Sequence, residues 1–187
     1  MSKIGRKPIK IDEVKVEIKG NDIHYSGSKA SGVYHLPVEL SARIDGTELF
    51  IIPTRDKDTM TQKQLRNTYR SWGLHHALLA NELSGAAKEF ETMLEINGLG
   101  YKAALADKKI ILTLGYSHKI EKDIPVGVSI EIDRSGQKVK VRSFDKVLVG
   151  QFCSEIRRLR EPEPYKGKGI KLQSEVIFRK TAGKGKK

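Results

Sequence analysis

Three stretches of this chain place reactive or charged groups at spacings that chemistry uses. Gly98-Leu99-Gly100-Tyr101-Lys102-Ala103 fits the G-x-G-x-x-A form of the dinucleotide fingerprint, in which glycines open a helix whose N-terminus receives a pyrophosphate. The β-rich run Ile110 to Leu114 follows too soon for that helix, and Asp107-Lys108-Lys109 reads as a turn, so the glycines are expected to make a bend between strands. Gly115-Tyr116-Ser117-His118 begins like a nucleophile elbow, but Lys119 stands where the closing glycine belongs and no helix signal follows; it reads as a loop. His75 and His76 are adjacent, so on a helix they diverge by about 100° and cannot share a metal as an i, i+4 pair does. The single cysteine, Cys153, lies among apolar helix neighbours and is expected to be a small buried residue with no role as a nucleophile. Nothing assembles a nucleophile, a base and an oxyanion donor, and no metal or cofactor is expected.

The third stretch is Pro162-Glu163-Pro164-Tyr165-Lys166-Gly167-Lys168-Gly169-Ile170-Lys171, preceded by a helical run ending in Arg157, Arg158 and Arg160. From Arg157 to Lys187 there are 11 Lys/Arg and 3 Asp/Glu, and residues 1 to 10 add four more cations, whereas Ile11 to Ile156 carries 20 of each sign. Charge concentrated at the two ends of a neutral body is the footprint of a protein that grips a polyanion there. Pro162 and Pro164 stop the helix and send Tyr165 to Lys171 out as a loop. Gly167 and Gly169 between lysines let the backbone approach a phosphate ridge, and Tyr165 has the chemistry to stack on a base. The charge layout alone admits any nucleic acid, ribosomal or not.

These residues need a scaffold, and the chain writes one twice. Leu36-Pro37-Val38-Glu39-Leu40, Ala42 to Gly46 and Leu49 to Ile52 recur as Ile124-Pro125-Val126-Gly127-Val128, Ile130 to Asp133 and Val139 to Val141, each copy reading as a hairpin. A helix follows each. Leu65, Tyr69, Trp72, His76 and Leu79 form one stripe, after a capping-box spacing at Thr59-Met60-Thr61-Gln62; Val149, Phe152, Cys153, Ile156 and Leu159 form the other. Upstream lie further strands, Val14 to Ile18 with Ile23 to Tyr25, and Met93 to Ile96 with Ile110 to Leu114. Strands run together before a single helix predict an α+β fold of two tandem, duplicated domains, each an antiparallel sheet with one main helix packed on it. The boundary is placed in the small-residue stretch Asn81 to Gly85, giving domains 1–82 and 83–176, and a basic flexible tail 177–187. No apolar run reaches the ~20 residues of a membrane span and no apolar segment follows the basic N-terminus, so a soluble, unexported protein is expected.

The string Pro162 to Ile170 resembles the signature of the bacterial-type large-subunit ribosomal protein L6 family. Ser2-Lys3-Ile4-Gly5-Arg6-Lys7-Pro8-Ile9 is similar to that family's N-terminus, Gly98 to Ala103 to its mid-chain GxGYxA element, and Leu114-Gly115-Tyr116-Ser117-His118 to its LGYSH strand end. Departures are Lys119 and Glu161, where prolines are common, and Trp72 and His76, where the first helix is usually polar or basic. The resemblance implies two duplicated α+β domains, no catalytic activity and a cytoplasmic, ribosomal setting. It further implies binding of large-subunit (23S-type) rRNA mainly by the C-terminal domain, near the sarcin-ricin loop, with neighbouring ribosomal proteins and translational GTPases close by. Carried over by position, Tyr165, Lys166, Gly167, Lys168 and Gly169 would contact rRNA, with Arg157, Arg158, Arg160, Lys171, Arg179 and Lys180 beside them.

Overall fold

The computed structural model describes residues 2–55 and 60–180. The chain is α+β and divides into two compact units, Met1–Glu89 and Phe90–Lys187. In the first, a short strand β1 (Ile9–Lys10) precedes a three-stranded meander, β2 (Lys15–Lys19), β3 (Asp22–Ser26) and β4 (Ser31–His35). The hairpin β5 (Leu40–Asp45) and β6 (Glu48–Pro53) follows, and then helix α1 (Gln62–Ala87). The second unit repeats this order: β7 (Phe90–Asn97), the meander β8 (Lys102–Ala106), β9 (Lys109–Thr113) and β10 (Ile120–Asp123), the hairpin β11 (Ser129–Ile132) and β12 (Lys138–Ser143), and helix α2 (Lys146–Leu159). One strand more, β13 (Gly169–Leu172), has no counterpart in the first unit.

The duplication foreseen from the hairpins therefore extends to the whole topology. In each unit the opening strand pairs with the last strand of the hairpin, giving β1-β6-β5 and β11-β12-β7-β13, while the meander stands as a separate sheet. Each unit thus holds two sheets, where the sequence suggested one. A second correction follows from it: Ile110 to Leu114 does not pair with Met93 to Ile96. Strand β9 lies between β8 and β10, and β7 lies between β12 and β13. Alternating burial marks a strand but is silent on its neighbour.

Each unit closes around its own apolar cluster. Ile23, Leu36, Leu40, Leu49, Ile51, Leu79 and Leu83 are buried in the first, and Leu94, Ile110, Leu112, Val139, Val141, Phe152 and Ile156 in the second. Both helix stripes face these cores: Trp72, His76 and Leu79 are buried on α1, and Val149, Phe152, Cys153 and Ile156 on α2. The unusual pair on α1 has a structural task. Trp72 Nε1 donates to the Ile51 carbonyl at 2.7 Å, Gly5 lies against the indole face, and His76 Nε2 donates to the Lys7 carbonyl at 2.8 Å, so the basic N-terminal arm is tied to the helix.

Two boundaries differ from expectation. Helix α1 runs straight through Asn81 to Gly85 and ends at Ala87, because Leu83 and Ala86 continue the buried stripe. The division between units falls at 89/90 and replaces the 82/83 placement. At the other end of α1 the capping pair is Thr61 and Gln64, with Gln64 Oε1 accepting from the Thr61 N–H at 3.0 Å. Thr59, the cap suggested by spacing, lies outside the described residues.

Candidate nucleic-acid interface

Helix α2 starts on Asp145, whose side chain accepts from the Val147 N–H at 2.7 Å, and ends with Arg157 and Arg158 in its last turn, where cations favour the C-terminal end of the helix dipole. The chain does not then leave in an extended path. The Gly167 N–H donates to the Glu163 carbonyl at 3.0 Å and the Glu163 N–H to the Lys168 carbonyl at 2.8 Å, closing a tight turn. The Ile170 N–H donates to the Arg160 carbonyl at 2.8 Å, and from Gly169 onward the chain is strand β13, pairing Gly169 with Asn97 and Leu172 with Leu94. Gly169 is required here. Its φ is +135°, and a Cβ would sit 2.5 Å from the Glu161 carbonyl oxygen. Both Gly167 and Gly169 are buried, so they shape the turn while Tyr165, Lys166 and Lys168 are exposed on its crest.

The cations of this region fall into two groups. Arg157 grips Glu175 through Nε at 2.9 Å and Nη2 at 2.6 Å, and reaches Glu161 at 3.3 Å. Its hydrogen bonds to Glu175 hold the guanidinium above its ordinary pKa, and the same bonds hold the Glu175 carboxyl below the usual range. Lys171, on β13, pairs with Glu95 of β7 at 2.9 Å. These two cations are internally neutralised. Arg158, Lys166, Lys168, Arg179 and Lys180 make no ion pair among the described residues and are exposed. In the described part of the segment expected to be a flexible tail, the Lys180 N–H donates to the Pro164 carbonyl at 2.9 Å, and the Arg179 guanidinium lies beside Gly167. Residues 181–187 lie outside the described residues.

Three further turns gather at the same end of this unit. The Gly98 to Tyr101 bend joins β7 to β8 beside the start of β13, and it opens no helix. The Tyr101 ring is buried between Gly98 and Gly115; a Cβ on Gly115, whose φ is +75°, would lie 2.8 Å from it. That contact fixes the Gly115 to Lys119 turn. The Asp133 to Gln137 turn is tied in by the Ala103 N–H donating to the Gly136 carbonyl at 2.8 Å and the Ile96 N–H donating to the Gln137 carbonyl at 2.7 Å. These turns present Lys102, Lys119 and Arg134, exposed and in no ion pair among the described residues, together with Leu99 at 96% exposure. Tyr116 Oη donates to the Leu159 carbonyl at 3.1 Å, and Arg160 lies over the Tyr116 ring, 5.0 Å from its centre. Sequence reasoning found the signature turn and missed these neighbours. The available signal was the recurrence of a tyrosine directly after a glycine at 101 and 116.

This end has the chemistry to bind phosphates and stack on planar groups, and it holds no catalytic constellation among the described residues. Cys153 is buried against the core and desolvation pushes its thiol up to about 11, so it is no nucleophile. No cluster of three or more metal-binding side chains occurs among the described residues, and no helix among them is long and apolar enough to cross a membrane.

The family described as ribosomal protein L6 has a model that matches residues 97–172, which run from the Gly98 bend to the end of β13. Full-length relatives agree with it. The large ribosomal subunit protein uL6 of Carboxydothermus hydrogenoformans is 41% identical over 191 residues, covering all of both chains. Those of Methylobacterium nodulans and Anaeromyxobacter dehalogenans are 39% and 40% identical, covering 98% and 99% of this chain and 99% of theirs. With identity of this level along the whole length, and with the signature turn, the Gly98 bend and the Gly115 turn folded against one another, the chain belongs to the ribosomal protein L6 family.

Proposed function

We propose that this protein is a non-catalytic constituent of the large ribosomal subunit that binds large-subunit rRNA with the turn-bearing end of its second unit. The observation that carries this is the convergence of four turns on one end, where cations in no ion pair among the described residues and exposed aromatic rings are set on hydrogen-bonded, glycine-shaped backbone. Lys166, Lys168, Arg158, Arg179 and Lys180 about the crest, and Lys102, Lys119 and Arg134 in or next to the neighbouring turns, supply the phosphate contacts. Gly167 and Gly169 act by holding the crest in shape, and Arg157 and Lys171 by anchoring the strand behind it. The family resemblance adds the finer setting, near the sarcin-ricin loop and the landing site of translational GTPases, with neighbouring ribosomal proteins.

The test is a salt titration of the protein with a transcript of the large-subunit rRNA. If about 6 to 8 phosphates are neutralised, log K falls against log salt with a slope of roughly −4 to −7. A slope near zero would overturn the proposal. Nuclease footprinting in the same mixture checks the finer setting: protection of the sarcin-ricin loop and its flanking helices supports it, and protection confined to other regions removes it.

A further inference from the structure

Tyr116, His118 and Arg160 form a compact group that the phosphate-binding role does not use. Tyr116 and His118 have ring centres 6.2 Å apart and planes 24° from parallel, and the Arg160 guanidinium lies 5.0 Å from the Tyr116 centre. Three planar groups in such an arrangement offer faces to a fourth. Tyr116 is 41% exposed, yet it is held: its hydroxyl donates to the Leu159 carbonyl, and the preceding Gly115 packs against Tyr101. His118 is exposed and makes no hydrogen bond among the described residues. Around the group the charge is positive, with Lys119 next in the chain and Arg158 on the last turn of α2.

We propose that Tyr116, His118 and Arg160 form a stacking site for a single unpaired nucleobase of the bound RNA. This rests on the RNA-binding reading above and adds the form of RNA recognised. A paired base has both faces occupied within its helix, so only a bulged, flipped or loop nucleotide can lie on an anchored tyrosine. A protein partner fits less well, because the ring packs against the Arg160 guanidinium, which is in no ion pair among the described residues.

The experiment compares Tyr116→Leu and Tyr116→Phe in the full chain, each titrated with the large-subunit rRNA transcript across a range of salt. Stacking neutralises no phosphate, so Tyr116→Leu is expected to bind about tenfold more weakly with the salt slope of the parent and a melting temperature like that of Tyr116→Phe, which loses the same hydroxyl contact. Tyr116→Phe keeps the ring and is expected to bind within about threefold of the parent. Affinity unchanged in Tyr116→Leu, or lost together with part of the slope, would overturn the site while leaving the RNA reading in place. Should Tyr116→Leu fail to fold, His118→Ala carries the decision: a loss of about threefold or more at unchanged slope supports the site, and parent-like binding overturns it. If the parent protein itself shows no salt-dependent binding, the RNA reading falls and the site falls with it.

Discussion

Arg157 shows how one residue's chemistry is decided by what surrounds it. In the sequence it is one of three arginines closing a helix before a basic loop, and it reads as an RNA contact. In the fold its guanidinium makes two hydrogen bonds to Glu175 and one to Glu161, so it holds the segment after β13 against α2. The Glu175 carboxyl is lowered from its ordinary pKa by these bonds to Arg157. A carboxylate lowered in the folded state stabilises the protein above its unfolded pKa, and that contribution is lost as pH falls through the folded value. Glu175→Gln is therefore expected to cost about 1 kcal/mol at neutral pH, with the gap to the parent closing as pH drops below about 4, as read by urea unfolding over a pH series. Lys166 and Lys168 behave in the opposite sense. Exposed and unpaired among the described residues, they can be replaced together by alanine with little change in melting temperature, while the salt slope for rRNA shrinks by about 2. Residue type exposed the surplus of cations at once, but which of them were already neutralised was not legible. Glu95 lies 76 positions from Lys171 and Glu175 lies 18 from Arg157, and only strand pairing and chain reversal bring each to its partner.

The element that separates the two copies is β13. In the first unit, α1 is the last element; in the second, the chain after α2 turns back and adds a strand on the free side of β7, with the crest Tyr165 to Lys168 held between helix and strand. The turn is thus a loop with both ends fixed, which lowers the entropy lost when it binds. Its tightest point is Gly169. Gly169→Ala must either adopt a φ that side chains avoid or move the Glu161 carbonyl, at a cost of about 2 to 3 kcal/mol. Because β13 and the crest share that point, the variant should lose stability and rRNA affinity together, in contrast to the paired lysine variant, which loses affinity alone. Calorimetry beside the RNA titration checks this; a full melting temperature with normal binding would show that the strand is not what positions the crest. The hairpins and both helix stripes were legible because alternation and the 3.6 period are local properties. Strand β13 was not, since Gly169-Ile170-Lys171-Leu172 is four residues with glycine at its head, and only the open edge of β7 makes it a strand. The same limit misassigned the partner of Ile110 to Leu114.

At the scale of the whole chain, the two units differ in charge because of what lies outside the neutral stretch from Ile11 to Ile156. Unit Met1–Glu89 carries 14 basic and 11 acidic residues, four of the basic ones in the N-terminal arm; unit Phe90–Lys187 carries 21 and 12. Counting along the chain averaged Lys102, Lys119 and Arg134 with the ion pairs of the sheet faces, such as Lys140 with Glu91 and Lys122 with Glu155. Only the fold separates cations that are neutralised in place from those collected at one end. Each unit has its own apolar core, so each should melt cooperatively when expressed alone. If rRNA is held by the turn-bearing end, the isolated residues 90–187 should keep most of the parent's salt slope, within about 2 of its value, and bind within about tenfold of the parent. The isolated residues 1–89, with only the arm in excess charge, should bind weakly and with a slope no steeper than about −4, one per arm cation. Equal slopes for the two halves would mean that the arm, tied to α1 through Trp72 and His76, is a second anchor of the same strength, and that the neutral body between the ends spans two RNA contacts.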